Sequence, residues 1–285
     1  MTYATPLMQL MEARAATLSP TQKILARHVR ANYQAVAFAN VAELARDAGV
    51  SEASVVRFAT ALGFSGYPGL QQEVRRLVRA DLKGTDRFRL TEAQRPTGTG
   101  TLDRVLHKEL ENLAQLGEMQ DATALREAAT VLRGARRVLV IGARATAPLA
   151  FHLWFALDKL GLEVTRSLSA DTAATDRLGR MDKRDVVVVI GFPRYLRALV
   201  TALDLAGQRG VRRIVMTDSP FSPLKGEIGL YAPALSVSFV AFHAAPLVLL
   251  NALIEEVATA DRDSALAALA AFEAVAEAQS YFQPA

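Results

Sequence analysis

Three short apolar runs constrain this chain more than anything else in it: RRVLVIGA at 136–143, DVVVVIGF at 185–192 and RRIVMTD at 212–218. Each is nearly continuous in Val, Ile and Leu and ends in small or polar residues. A strand that is apolar on both faces must be covered on both faces, which is the condition of a parallel sheet between two layers of helix. A weaker strand, EVTRSL at 163–168, and a fifth, YAPALSV at 231–237, fit the same frame. Amphipathic stretches near 147–160, 195–209 and 241–258 read as helices between them. Alternating strand and helix predicts a doubly wound α/β domain on a five-stranded parallel sheet. Ligands of such sheets bind beyond the carboxyl ends of the strands. Attention therefore falls on Gly142–Thr146, Ser167–Asp171, Gly191–Tyr195 and Thr217–Ser222.

The first third of the chain has a different texture. Helices are expected over 5–17 and 19–31, the second started by Ser19, Pro20 and Gln22. Residues 40–62 read NVAELARDAGVSEASVVRFATAL. Asn40 is a good N-cap, and Glu43 can close a capping box with it. Val41, Leu44, Ala45 and Ala48 fall on one helical face. Gly49 supplies a turn in which only glycine takes φ > 0 cheaply. Ser51 caps a second helix whose buried face is Val55, Phe58, Ala59 and Leu62, leaving Glu52, Ser54, Arg57 and Ala61 outward. Two short helices about a tight turn form a helix-turn-helix, an all-α unit that places its second helix in a DNA major groove. Such patterns also occur in ordinary bundles. A turn at Gly63–Pro68 and a basic helix from Leu70 to Leu82, bearing Arg75, Arg76 and Arg79, follow. The polar stretch 84–100, with Pro96, Gly98 and Gly100, reads as a linker. The expected division is 1–83, linker 84–100 and 101–285, the last opening with helices near 101–119 and 121–133.

Charge supports a nucleic-acid reading. Residues 1–90 hold 12 Lys+Arg against 7 Asp+Glu, whereas the other 195 residues hold 21 against 22. The positive excess thus sits where phosphates would be met. Ser54 and Arg57 are the candidates for base contact, since arginine is the commonest reader of guanine. Ser51 and Glu52 stand close to the groove. Lys23, Tyr67, Arg75 and Arg76 are candidates for phosphate or positioning contacts. The chain has no cysteine, which excludes disulfides, thiolate metal sites and cysteine nucleophiles. No signal peptide is read at the N-terminus. Ile228–Ile254 carries no charge, but Pro233, Pro246, Ser236, Ser238, His243 and Asn251 make it a buried strand and helix rather than a span. A soluble, cytoplasmic protein with no membrane partner is expected.

Catalytic constellations are weak. His28 and His107 lie on predicted helices outside the α/β part and read as surface residues, and His152 and His243 lie on apolar helices, where histidine is more often a core residue. Asp171 and Asp218 at strand ends are explained by helix capping and turns. No metal-ligand spacing occurs, and Gly142–Ala147 does not meet the dinucleotide pattern. No catalytic residue, metal or cofactor is expected, and an isomerase-like enzyme is the lesser alternative.

The stretches LSPTQKILARHV, NVAELARDAGVSEASVVRFATALGFSGYPGLQ and the basic helix after them resemble the RpiR/MurR transcriptional regulators, which join a helix-turn-helix domain to a sugar isomerase (SIS) domain. The resemblance spans about residues 5–258. It implies a regulator of a carbohydrate or related catabolic operon that binds operator DNA, senses a sugar phosphate or related metabolite and assembles as a homodimer or homotetramer. The usual phosphosugar motifs are altered. Where the family has G-x-G-x-S after the first strand, this chain has Gly142–Ala143–Arg144–Ala145–Thr146. Where it has S-x-S-G-x-T after the third, this chain has Gly191–Phe192–Pro193–Arg194–Tyr195–Leu196. Two arginines at neighbouring strand ends would still attract an anion, carboxylate as readily as phosphate. The expected effector site is Arg144 and Arg194, with Thr146, Tyr195 and Ser219 as secondary contacts. The competing readings are that both arginines form salt bridges or line a subunit interface, and that the SIS domain is only an oligomerisation scaffold.

Overall fold

Ser19 and Asn40 each start a helix by the same reciprocal device. Ser19 Oγ accepts from Gln22 N at 3.3 Å while Ser19 N donates to Gln22 Oε1 at 2.9 Å; the Asn40–Glu43 box closes at 2.9 and 2.7 Å. The computed structural model describes residues 6–81, 83–93, 98, 100–119, 122–241 and 243–283. Positions 94–97, 99 and 121, in the expected linker and at an expected helix start, lie outside the described residues. The chain divides into two compact units, Met1–Leu90 and Thr91–Ala285.

The first unit is helical: α1 (Pro6–Ala13), α2 (Pro20–Val36), α3 (Val41–Ala48), α4 (Glu52–Ala61) and α5 (Tyr67–Asp81). α2 outruns the expected 19–31 because Val36 still finds the core, at the cost of a kink at Asn32, φ −129°. Gly49 takes φ +67° and ends α3, as the turn requires. Leu25, Val29, Leu44, Val55, Phe58, Leu62, Leu70 and Val74 form the core. Truncating fully buried Phe58 would cost roughly 3–5 kcal/mol. α6 (Gly84–Ala93) occupies the first part of the stretch expected as a linker.

The second unit runs α7 (Thr101–Met119), α8 (Ala122–Arg133), β1 (Val138–Gly142), a 3-10 turn at Arg144–Thr146, α9 (Ala147–Lys159), β2 (Val164–Ser167), α10 (Thr172–Gly179) and β3 (Val186–Ile190). It continues through α11 (Arg197–Gln208), β4 (Arg212–Thr217), β5 (Ile228–Tyr231), α12 (Ala244–Ala260) and α13 (Arg262–Ala278). The five strands are all parallel, in the order β2-β1-β3-β4-β5. The expected fold class is thus the observed one. Val138 and Val140 of β1 pack with α8, α9 and α12 on one face; Leu139 and Ile141 pack with α10 and α11 on the other.

One strand is misplaced by the sequence pattern. β5 is Ile228–Tyr231, not 231–237. Ile228 and Leu230 supply the buried alternation, and Ala232 N closes the ladder on Thr217 O at 2.9 Å. Pro233, with no N–H to donate, then takes the chain out of the sheet. α10 and α13 have no counterpart in the sequence reading.

At the amino edge of the sheet Asp185 is fully buried and receives Arg136 Nη2 at 2.6 Å and Arg137 Nη2 at 3.1 Å. Burial alone would raise its pKa; the two guanidinium donors outweigh it and hold the carboxyl at about 2. This edge is tied down, whereas the carboxyl edge carries the candidate site.

Candidate functional site

The outward face of α4 is Glu52, Ala53, Val56, Arg57 and Thr60, while Val55, Phe58 and Ala59 face the core. Ser54 is the exception to expectation. Read from sequence as outward, it is buried, with its hydroxyl 2.9 Å from Ser51 Oγ. Ser51 Oγ also accepts from Ser54 N, so position 54 completes the cap rather than extending into solvent. Arg57 Nη2 donates to Ser54 Oγ at 3.0 Å. Ala61, also expected outward, is half-buried. What α4 presents outward is therefore the Arg57 guanidinium, the Glu52 carboxylate and a small apolar surface beside Thr60.

The expected phosphate contacts divide. Lys23 is exposed on α2, one turn from Arg27. Arg75 is exposed but turns Nε back to Ala37 O at 2.7 Å. Arg76 grips Glu73 with Nε and Nη2 at 2.9 and 2.6 Å, both side chains nearly buried. Tyr67 is buried and donates its hydroxyl to Ala39 O at 2.6 Å, next to Gln71, which donates to the same oxygen. In this structure Tyr67, Gln71 and Arg75 satisfy the carbonyls that α2 and its turn leave open.

In the second unit the sheet order reverses between β1 and β3, which pair with Gly142 opposite Ile190. That is the switch point at which a doubly wound sheet opens its crevice. Arg144 follows β1 and Arg194 follows β3. Both are exposed, and both have left-handed backbones, φ +57° and +70°. Ala170, after β2, has φ +52°. A left-handed backbone costs a residue with a Cβ roughly 1–2 kcal/mol. Such strain concentrated at one edge is a mark of functional loops. Among the described residues neither guanidinium has a hydrogen bond or ion pair; Arg144 O accepts from Ala147 N within the 3-10 turn.

The loops beneath the arginines are tightly set. A Cβ on Gly142 would meet Ala150 Cβ and Thr146 O, each at 2.8 Å; one on Gly191 would meet Leu224 Cδ1 at 2.6 Å. Thr146, expected to touch the effector, is buried. Its Oγ1 accepts from Ala143 N at 3.1 Å and lies 3.0 Å from Ile190 O, stapling the β1 loop to the end of β3. Tyr195 donates its hydroxyl to Asp218, which also receives Thr217 Oγ1. Ser219 is buried and its Oγ accepts from Phe221 N at 3.0 Å. The three secondary residues hold the rim together, and the two arginines remain outward.

Beside this edge a cleft of about 400 Å³ lies between the starts of α9 and α12, lined by Pro148, Leu149, His152, His243, Ala244 and Leu247. His152 Nε2 is 2.7 Å from Asn251 Oδ1. His243 stacks against Phe192 at 5.8 Å, and its Nε2 is buried without a partner among the described residues. Burial lowers its pKa, partly opposed by the Glu109 carboxylate. His243 was read from sequence as a core residue, and it is half-buried here at the start of α12. Among the described residues no helix is long and apolar enough to cross a membrane.

The family model for the helix-turn-helix domain of the rpiR family matches residues 5–79, and that for the SIS domain matches residues 131–255. An uncharacterized HTH-type transcriptional regulator of Clostridium perfringens is 19% identical over 219 residues, 77% of this chain and 78% of that one. Another, of Caldanaerobacter subterraneus, is 21% identical over 237 residues, 82% of this chain and 83% of that one. The sugar isomerase domain of an RpiR transcription factor from Sphaerobacter thermophilus superposes with TM-score 0.60 at 27% identity, covering 61% of this chain and 99% of that one. The NanR protein of Vibrio vulnificus, complexed with ManNAc-6P, gives TM-score 0.60 at 18% identity, covering 96% of this chain and 98% of that one.

Proposed function

Since the chain belongs to the rpiR family of helix-turn-helix transcriptional regulators with a SIS domain, we propose that it is a cytoplasmic, homo-oligomeric regulator of a carbohydrate or related catabolic operon, controlled by a small anionic metabolite. α4 enters the major groove of operator DNA with Arg57 as its base reader, Glu52 and the Ser51 cap beside it, and Lys23 near phosphate. The effector sits at the β1/β3 switch point between Arg144 and Arg194.

The observation that carries the effector reading is the pair of arginines, with guanidiniums that have no partner among the described residues, on two strained loops at the crevice the topology opens. Two guanidiniums suit a planar carboxylate as well as a phosphate. NanR is complexed with ManNAc-6P; here the loop after β3 carries Phe192, Pro193 and Arg194 where a hydroxyl cradle would stand, which favours a sugar acid or related carboxylate. Pairing of two chains would set two recognition helices roughly 34 Å apart, or a multiple. An effector then shifts DNA affinity by its differential affinity for the two spacings and no more.

A thermal-shift screen of the wild type and the Arg194→Ala variant tests this. The panel holds sugar phosphates, neutral sugars, polyols and sugar acids. A compound that raises the wild-type melting point but not the variant's locates the site and names the effector class. If Arg144→Ala and Arg194→Ala both leave effector affinity unchanged, the reading fails.

A further inference from the structure

We propose that Val56 reads the methyl group of a thymine in the operator, next to the base that Arg57 contacts. The proposal rests on α4 being the helix that enters the groove, and it adds a specificity residue that the sequence pattern did not single out.

Ala53, Val56, Arg57 and Thr60 stand at i, i+3, i+4 and i+7, so they share one outward face. Val56 is 44% exposed, although α4 already buries Val55, Phe58 and Ala59 against the unit. Nothing in the core uses it. A β-branched residue is a weak choice for an exposed helix position, where alanine would serve better. The polar alternatives around it are spent: Ser54 is buried in the cap, and Thr60 Oγ1 donates to Val56 O at 3.1 Å. The face therefore offers a small apolar patch flanked by the Arg57 guanidinium, itself held by Ser54. In the major groove a single base edge presents an apolar group, the C5-methyl of thymine. A patch of this size, set beside an arginine that pairs with guanine, matches a guanine with a thymine at a neighbouring step.

The test uses the full chain. Random-sequence duplexes are selected on the wild type to define its site. Each thymine is then replaced by uracil, which removes the methyl and keeps every hydrogen-bonding group. We expect one thymine per half-site at which the replacement weakens wild-type binding about fourfold, the worth of one buried methyl group. The Val56→Ala variant should be insensitive to that replacement, with an unchanged melting point. A defined site that depends on Arg57 but holds no uracil-sensitive thymine tied to Val56 overturns this inference and leaves the reading of α4 standing. Failure to select any site overturns the reading of α4 itself.

Discussion

The guanidinium of Arg57 is steadied by the hydroxyl of Ser54, with Nη2 donating to Oγ at 3.0 Å. That oxygen is in turn 2.9 Å from Ser51 Oγ, so the helix cap and the exposed arginine share one small network. Ser54→Ala removes the link without touching the base-facing group. Ordering a long side chain costs about 0.5–1.5 kcal/mol, so operator affinity should fall about 2- to 10-fold. The Ser51 cap persists, and thermal stability should drop by less than about 1 kcal/mol. Anisotropy titration against operator DNA, with parallel melts, reads both.

Arg57→Ala and Lys23→Ala should fail differently. Loss of an arginine–guanine pair costs about 1–3 kcal/mol of discrimination, so Arg57→Ala should bind operator and random DNA more nearly alike. Lys23→Ala should weaken both equally and reduce the slope of log K against log salt by about 1. Both residues are exposed, so both variants should melt with the wild type. A variant of Arg57 that unfolds would make that residue structural instead.

The left-handed backbones at Arg144 and Arg194 separate strain from function. Alanine keeps the strain and removes the guanidinium; glycine removes both. Arg194→Gly should therefore melt above Arg194→Ala by the equivalent of about 1 kcal/mol, and the same order should hold at position 144. In every one of the four variants the ligand-induced rise in melting point should vanish. If glycine and alanine melt alike, the strain is not there.

What was legible from sequence follows the range of each interaction. The capping boxes at Ser19 and Asn40 and the Gly49 turn are decided within a few residues, and the structure reproduces them. The central strands are legible because both faces of β1 and β3 are buried, which leaves no choice of residue. β5 is an edge strand that alternates buried and half-buried residues over four positions, so its apolar signal merges into the segment after it. Ser54 was read outward because a helical wheel assigns a serine to solvent. Its burial depends on the Ser51 cap turning back over the first turn. Thr146 is harder still, since its partner at Ile190 is 44 residues away. No periodicity reports a hydroxyl committed to another strand.

The amino edge of the sheet should govern acid stability. Asp185 titrates at about 2 in the folded chain against 3.8 ordinarily. Its folded pKa is depressed, so its contribution is complete above pH about 4 and is lost as pH falls from about 4 to about 2. That contribution is on the order of 2 kcal/mol. Asp185→Asn should destabilise the chain at neutral pH by about 2–3 kcal/mol. This lies below the usual cost of breaking a buried pair because the Arg136 and Arg137 side chains are 37% and 43% exposed and can be rehydrated. Other carboxylates still titrate in the variant, Asp182 among them, which Arg184 and Arg136 also hold below the usual range. The diagnostic is therefore the difference between wild type and variant. Urea unfolding at a series of pH values should show the two curves about 2 kcal/mol closer at pH 2 than at pH 6. A constant gap would mean that Asp185 titrates normally and that the two arginines bind it no better folded than unfolded.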